Sequence, residues 1–286
     1  MIEQMTEDQG IGMFMGMAIG DALGAPLEFI PTQDIKKLHT EMTGGGCHET
    51  SPGEWTDDTA MGVAIGEAYV QQGGFSPSTI AKHFREWKAS GRFGTRNYVF
   101  DIGNTCASGI NRMTQSNPYA GSTEDNASGN GSIMRIAPII LANHSNAANC
   151  VGQSVAVALM THGNAATINY ITAFATELYA GDRLLDFKQL SNYDCEDRRG
   201  KGSIMHAYTQ AWRSVITTEC FEDAVINAVN KGHDADTVGA VTGMAAGRIY
   251  GYKNIPKRWT KVLMAHDYLY DLAQKLYQMG KEKTCH

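Results

Sequence analysis

Two short acidic clusters hold the residues best suited to chemistry in this chain. Trp55-Thr56-Asp57-Asp58-Thr59 and Gly232-His233-Asp234-Ala235-Asp236-Thr237 each place carboxylates and hydroxyls within a few positions. Mg2+ and Mn2+ are hard cations that take oxygen ligands in near-octahedral sets, and a two-ion site about 3.5–4 Å across needs bridging carboxylates plus water. Asp57, Asp58, Asp234 and Asp236 supply carboxylates, and Thr56 and Thr237 add hydroxyl oxygens. Cysteine and histidine are sparse around them, which disfavours zinc. The clusters lie more than half the chain apart, so a shared site has to be assembled by the fold. A second reading is open: Thr and Asp are preferred helix N-caps, and acids suit a first helical turn. Two acid-crowded helix starts repel each other unless exposed or bridged by metal.

The elements that position these clusters read as helices. Apolar residues recur every three to four positions at Val63, Ile65, Ala68, Tyr69 and Val70, at Val225, Ile226 and Val229, and at Leu263, Tyr268, Leu269, Leu272 and Leu276. Alternating strand patterns are scarce, and ten or more helices are predicted. Ser76-Pro77 opens one of them, with serine as N-cap and proline in the first turn. Glycine recurs every four residues at 12, 16, 20 and 24 and again at 239, 243, 247 and 251. A helical glycine costs about 1 kcal/mol against alanine, so eight on two helix faces predict close helix packing in preference to ligand contact. Loops are predicted around Thr43-Gly44-Gly45-Gly46, from Gly121 to Gly131 and from Asn192 to Gly202.

Other residues carry weaker signals. Gly24 and Pro26 end the first helix and leave Glu28 at a turn, where a carboxylate can move, accept a proton or touch a metal, or simply be solvated; Asp21 reads as a buried, hydrogen-bonded acid of that turn. Gly129-Asn130-Gly131-Ser132 precedes an apolar run, so its N–H groups could meet a phosphate at a helix start. His162 in Met160-Thr161-His162-Gly163 reads as a capping or core histidine. Asp194 to Arg199 mixes both signs and reads as solvated surface.

The 286 residues have a globular composition, 43% hydrophobic and 19% charged with seven prolines, which fits one large domain. A net charge of −6 argues against nucleic acid, whose binding needs a basic footprint. The six cysteines show no C-x-x-C pair and read as reduced thiols. Glu3, Glu7 and Asp8 stand where a signal peptide carries basic residues, and the apolar stretch 11–20 is too short to span a bilayer, so no membrane partner and a cytoplasmic location are expected.

Taken together, five blocks resemble the ADP-ribosylglycohydrolase family: Gly16 to Glu28, Trp55 to Met61, Phe100-Asp101-Ile102-Gly103-Asn104-Thr105, Gly129 to Arg135, and Gly232 to Tyr250. The resemblance runs nearly the length of the chain. It implies an all-α, compact single-domain helical bundle over residues 1–286, with a central cleft for two Mg2+ or Mn2+ ions. It also implies a metal-dependent hydrolase that removes ADP-ribose from modified protein side chains. Thr56, Asp57 and Asp58 fall on the family's first metal-ligand motif, and Asp234, Asp236 and Thr237 on its second. Glu28 matches a mobile acid that approaches the metals, and Asp101 a residue that faces the acceptor, with Gly103 and Asn104 following along the cleft. Asn130, Gly131, Ser132 and His162 match positions lining the ADP-ribose site. His233 replaces the glycine or other small residue of many relatives. Catalytic roles accordingly fall to Glu28, Asp57, Asp58 and Asp101. The block at Phe100 is more similar to the bacterial arginine-directed branch than to the animal serine-directed one, which makes ADP-ribosylarginine the expected substrate. Alternatives are a serine-linked substrate, a small conjugate such as O-acetyl-ADP-ribose, or a non-catalytic ADP-ribose-binding module. Retention of all four aspartates and both threonines favours an enzyme.

Overall fold

The computed structural model describes residues 4–181 and 201–282, so the stretch from Asp194 to Arg199 and most of the loop expected from Asn192 lie outside the described residues. Among the described residues there are twelve α-helices and no β-strand, in keeping with the all-α expectation: α1 (Glu7–Gly24), α2 (Asp57–Gln72), α3 (Pro77–Ser90), α4 (Asn104–Arg112), α5 (Ala137–Ala142), α6 (Ala147–Leu159), α7 (Ala165–Ala180), α8 (Ile204–Ile216), α9 (Phe221–Val229), α10 (Ala235–Tyr250), α11 (Lys257–Val262) and α12 (His266–Glu282).

The centre of the fold is the antiparallel pair α1 and α10. Thr6 opens α1 with a capping box closed by Gln9, which satisfies two of the backbone donors that a helix start leaves free. Every residue of α1 from Gly10 to Gly24 is buried. The glycine ladders meet as predicted. A methyl on Gly16, Gly20 or Gly24 would run into the carbonyl of Gly243, Gly239 or Ala235 in turn, and one on Gly12 would lie 2.6 Å from the Gly247 oxygen. The two backbones therefore touch with no side chain between them, and the contact offsets the entropy that glycine loses in a helix. Gly251 ends α10 at φ 81°, still packed against Gly12 and the Asp8 side chain of α1. With the short 3₁₀ turn Ala25–Leu27 appended, α1 reaches the length and apolarity of a membrane span, which the shorter stretch 11–20 did not suggest. Its apolar 18-residue stretch is wholly covered by the rest of the protein.

Two expected elements differ. The apolar spacing from Leu263 to Leu276 is not one helix: α11 stops at Val262 and α12 starts at His266. Between them the chain turns to the 53–55 segment, where Met264 N–H donates to the Gly53 carbonyl and Trp55 Nε1–H to the Met264 carbonyl. Nor does the glycine-containing run at 129 open an α-helix. Asn130–Ser132 form a 3₁₀ turn, tied by Asn130 N–H to the Gly202 carbonyl, and α5 begins only at Ala137. The start of α3 is as expected, with Ser76 capping Thr79 N–H and Pro77 in the first turn.

Candidate functional site

The seam decides which chain ends meet. Because α1 and α10 run antiparallel, the C-terminal end of α1 lies against the first turn of α10, where Gly24 packs on the backbone of Ala235 and Asp236. Asp21 adds a third helix. It sits within the last turns of α1 and not in a turn, buried, and accepts from Thr56 N–H (2.9 Å), Thr56 Oγ1 (3.0 Å), Thr59 N–H (3.0 Å) and Thr59 Oγ1 (2.6 Å). An acid of α1 thus caps α2 from a distance, while Thr56, at the N-cap position, makes no side-chain cap of its own. Asp57 and Asp58 are left free of capping duty in the first turn of α2, which removes half of the helix-capping reading. Asp234 likewise makes no side-chain cap for α10.

The acids converge on a cleft of about 550 Å³. Glu28, Asp57, Asp101, Asp234, Asp236 and Thr237 line it together with Gly103, Asn104, Asn130, Gly131 and His162. Three of the predicted residues stand behind the wall. Thr56 Oγ1 lies 3.4 Å from Asp236 Oδ2, Asp58 Oδ2 accepts from Thr237 Oγ1 at 3.2 Å, and Ser132 is fully buried. Carboxylate oxygens of Glu28, Asp234 and Asp236 lie within 4.8 Å of one another. Asn130 Nδ2 donates to Asp234 Oδ2 at 2.6 Å, tying the 3₁₀ turn to the start of α10.

Such crowding is costly for bare carboxylates. Burial pushes Asp57, Asp58 and Asp236 well above the ordinary carboxylate range, reinforced by Asp101 at Asp57, by Asp21 at Asp58 and by Glu28 at Asp236. Burial also raises Asp101 and Asp234, and it lifts Asp21 to about 6 and Glu28 to about 7. Asp58 Oδ1 and Asp236 Oδ1 are buried and have no hydrogen-bond partner. An unpaired buried charge is strongly unfavourable, whereas a divalent cation between such oxygens reverses the sign of the interaction. The all-oxygen donor set of aspartates and threonines fits Mg2+ or Mn2+ on both counts.

The sequence profile of the ADP-ribosylglycohydrolase family matches residues 3–284. The chain belongs to the ADP-ribosylglycohydrolase family. Among its relatives is a protein named ADP-ribosylarginine hydrolase Tri1 from Serratia proteamaculans, 30% identical across 98% of this chain and 82% of the relative. The ADP-ribosyl-[dinitrogen reductase] glycohydrolase of Rhodospirillum rubrum is 31% identical across 90% of this chain and 91% of its own. A solved ADP-ribosylglycohydrolase-related protein has the same fold, with a TM-score of 0.81 and 29% identity over 96% of this chain and 98% of that one.

One group beside the cleft, in contact with two of its acids, had no signal in the sequence. His48 follows the three glycines 44–46, all at positive φ, which turn the chain back so that its Nε2 meets Glu28 Oε2 at 2.7 Å and Asp101 Oδ2 at 3.6 Å. The hydrogen bond to Glu28 raises the imidazole above its usual range. His48 thereby joins two acids 73 positions apart, a contact that only the assembled fold makes. Phe29 beside Glu28 is 66% exposed at the cleft and packs edge-on to the His48 ring.

Proposed function

We propose that this protein is a metal-dependent hydrolase that releases ADP-ribose from ADP-ribosylated arginine on a protein. The observation that carries the reading is the pair of unpartnered, buried carboxylate oxygens on Asp58 and Asp236, set beneath a cleft of nucleotide-accommodating size. Asp57, Asp58, Asp234 and Asp236, with Thr56 and Thr237, would hold two Mg2+ or Mn2+ ions. When bound, the ions supply Lewis-acid polarisation and a more acidic water.

The chain's own residues account for the rest. Hydrolysis breaks the bond from C1″ of the distal ribose to the guanidine nitrogen and adds water across it, through a transition state with oxocarbenium character. Glu28 and Asp101 are carboxylates that can take a proton from water and return it to the departing guanidine. His48 holds Glu28 in place and stands between it and Asp101. Asp101, at the cleft and partly exposed, offers a carboxylate to a planar guanidinium, the partner geometry that arginine favours. The names of the Serratia and Rhodospirillum relatives support an arginine or protein substrate. Asn130, Gly131 and His162, with Gly103 and Asn104, would face the nucleotide, and Ser132 stands behind them.

The test is release of ADP-ribose from an arginine-ADP-ribosylated protein with Mg2+, with Mn2+ and with EDTA, beside a serine-linked substrate and O-acetyl-ADP-ribose. Metal-dependent release from arginine alone is expected. Release from serine or from the small conjugate alone would redirect the substrate, and binding of ADP-ribose without any turnover would make the protein a binding module.

A further inference from the structure

Arg135 lies under the cleft floor, fully buried, in the link between the 3₁₀ turn and α5. Its Nη1 reaches Met61 Sδ at 3.4 Å and Cys106 Sγ at 3.6 Å, and its Nη2 donates to the Val157 carbonyl at 3.2 Å and to Thr161 Oγ1 at 2.6 Å. Nε has no partner, and the ring of Phe84 covers the guanidinium at 4.8 Å. Among the described residues no carboxylate lies within ion-pair distance of it. A buried cation held by neutral groups is expensive, which makes its partners informative.

The shortest of those contacts orders a chain of protons. Arginine can only donate, so Thr161 Oγ1 accepts from it. The threonine hydroxyl has one hydrogen; of the two groups in its reach, His162 Nδ1 at 2.8 Å is the strong acceptor and the Cys106 thiol sulfur the weak one. With Nδ1 accepting, the imidazole proton resides on Nε2. The main chain that carries the ring is fixed by His162 N–H to the Ala158 carbonyl and Gly163 N–H to the Ser122 carbonyl, and the ring itself is enclosed, 1% exposed. The charged and titratable groups facing it are Arg135 behind Thr161 and the Cys106 thiol of α4, both of which oppose or fail to reward an imidazolium. Burial and Arg135 pull the imidazole down to about 3. Its Nε2 faces the cleft beside Gly129 and Gly131, where a side chain at either glycine would press on the ring. No described residue accepts from that nitrogen.

We propose that Arg135 and Thr161 are positioning residues that hold His162 as the neutral Nε2–H tautomer, a fixed donor for a diphosphate oxygen of the nucleotide. The nature of the ligand rests on the function proposed above; the tautomer does not. Carboxylates line much of the cleft, so an anionic oxygen belongs beside a neutral donor, and a permanent positive charge lies one residue behind this one. A histidine free to choose its tautomer would spend part of its time presenting a bare nitrogen to a phosphate oxygen, and both would then be acceptors.

The experiment is a 15N spectrum of the histidine-labelled full-length protein, with His162 assigned by its loss in His162→Gln. The Nε2–H pattern is expected in the wild type, unchanged through the interval in which ordinary histidines titrate. Thr161→Val should give a mixed or reversed pattern and weaken ADP-ribose binding by about fivefold, the worth of one neutral hydrogen bond. Thr161→Ser, which keeps the hydroxyl, should restore both. A wild-type Nδ1–H pattern, protonation of His162 in that interval, or an unaltered pattern in Thr161→Val overturns the lock. The wild-type spectrum decides the matter even where a variant does not fold. A lock seen in the spectrum together with failure of the wild type to bind ADP-ribose overturns the ligand and leaves the tautomer standing.

Discussion

The seam between α1 and α10 and the acidic cleft at its end meet at the first turn of α10 and are built by opposite means. Along the seam everything is neutral, satisfied and in contact, backbone against backbone. One turn further on, carboxylates at the starts of α2 and α10 and in the loops beside them repel one another, and two buried oxygens, on Asp58 and Asp236, have no partners. The first arrangement stabilises the protein. The second destabilises it until something positive arrives, and stability given up at one place is what lets a site be ready for a ligand.

The contrast can be broken from either side. Asp57→Ala and Asp236→Ala should leave helicity by circular dichroism intact while turnover drops by about a thousandfold or more, since several kcal/mol of charge stabilisation is lost with a ligand; retained turnover in either would remove the metal reading. Gly20→Val should do the reverse and act on folding. Its side chain meets the Gly239 carbonyl, and a cost of about 3 kcal/mol would lower the melting temperature by about 10 °C. A melting temperature equal to wild type would mean that the helices part more readily than their contact implies.

Proton and metal effects come next in size. Burial raises Glu28 to about 7 and Asp21 to about 6 in the folded protein, above the values these acids have in an unfolded chain. The folded state then binds protons more tightly, so metal-free stability is greatest in mild acid and falls as pH rises from about 4 towards 7. Saturating Mg2+ or Mn2+ should flatten that slope and, at about a hundred times its dissociation constant, add about 2.7 kcal/mol. Chemical denaturation with and without EDTA across this interval measures both, and a slope of opposite sign would show that the acids are not crowded as described. The smallest effect is expected from His48→Ala, which frees Glu28 from its 2.7 Å partner. Turnover should fall by about fivefold with the melting temperature nearly unchanged.

Local pattern carried much of this architecture. Helical periodicity and the spacing of glycine at every fourth residue pointed to an all-α protein with two tightly packed helices, because both signals reside within one element. The acidic clusters were legible for the same reason. Contacts between distant segments were not. Nothing near Asp21 says that it caps a helix 35 residues on, and nothing near Gly44-Gly45-Gly46 says that the turn delivers His48 to Glu28. His162 read as a core or capping histidine, and it is 1% exposed, yet its ring edge reaches the cleft. The helix expected over Leu263 to Leu276 is interrupted because Met264 bonds to Gly53 and Trp55, partners that apolar spacing cannot reveal.

A ladder with identical rungs cannot tell one alignment from the next. Slipping α1 by four residues along α10, a translation of about 6 Å, would again match Gly12, Gly16, Gly20 and Gly24 with Gly251, Gly247, Gly243 and Gly239. The choice is made by clasps at the two ends. At one end Lys253 N–H donates to Asp8 Oδ1; at the other Phe29 N–H donates to the His233 carbonyl, and His233 N–H to that of Ile30, with Phe29 and His233 both held at positive φ. The second clasp is flanked by Glu28 and Asp234. The pairing that fits this alignment and not the slipped one is therefore the one that brings Glu28 and Asp234 together, and a misaligned chain would lose its fastening and its chemistry together.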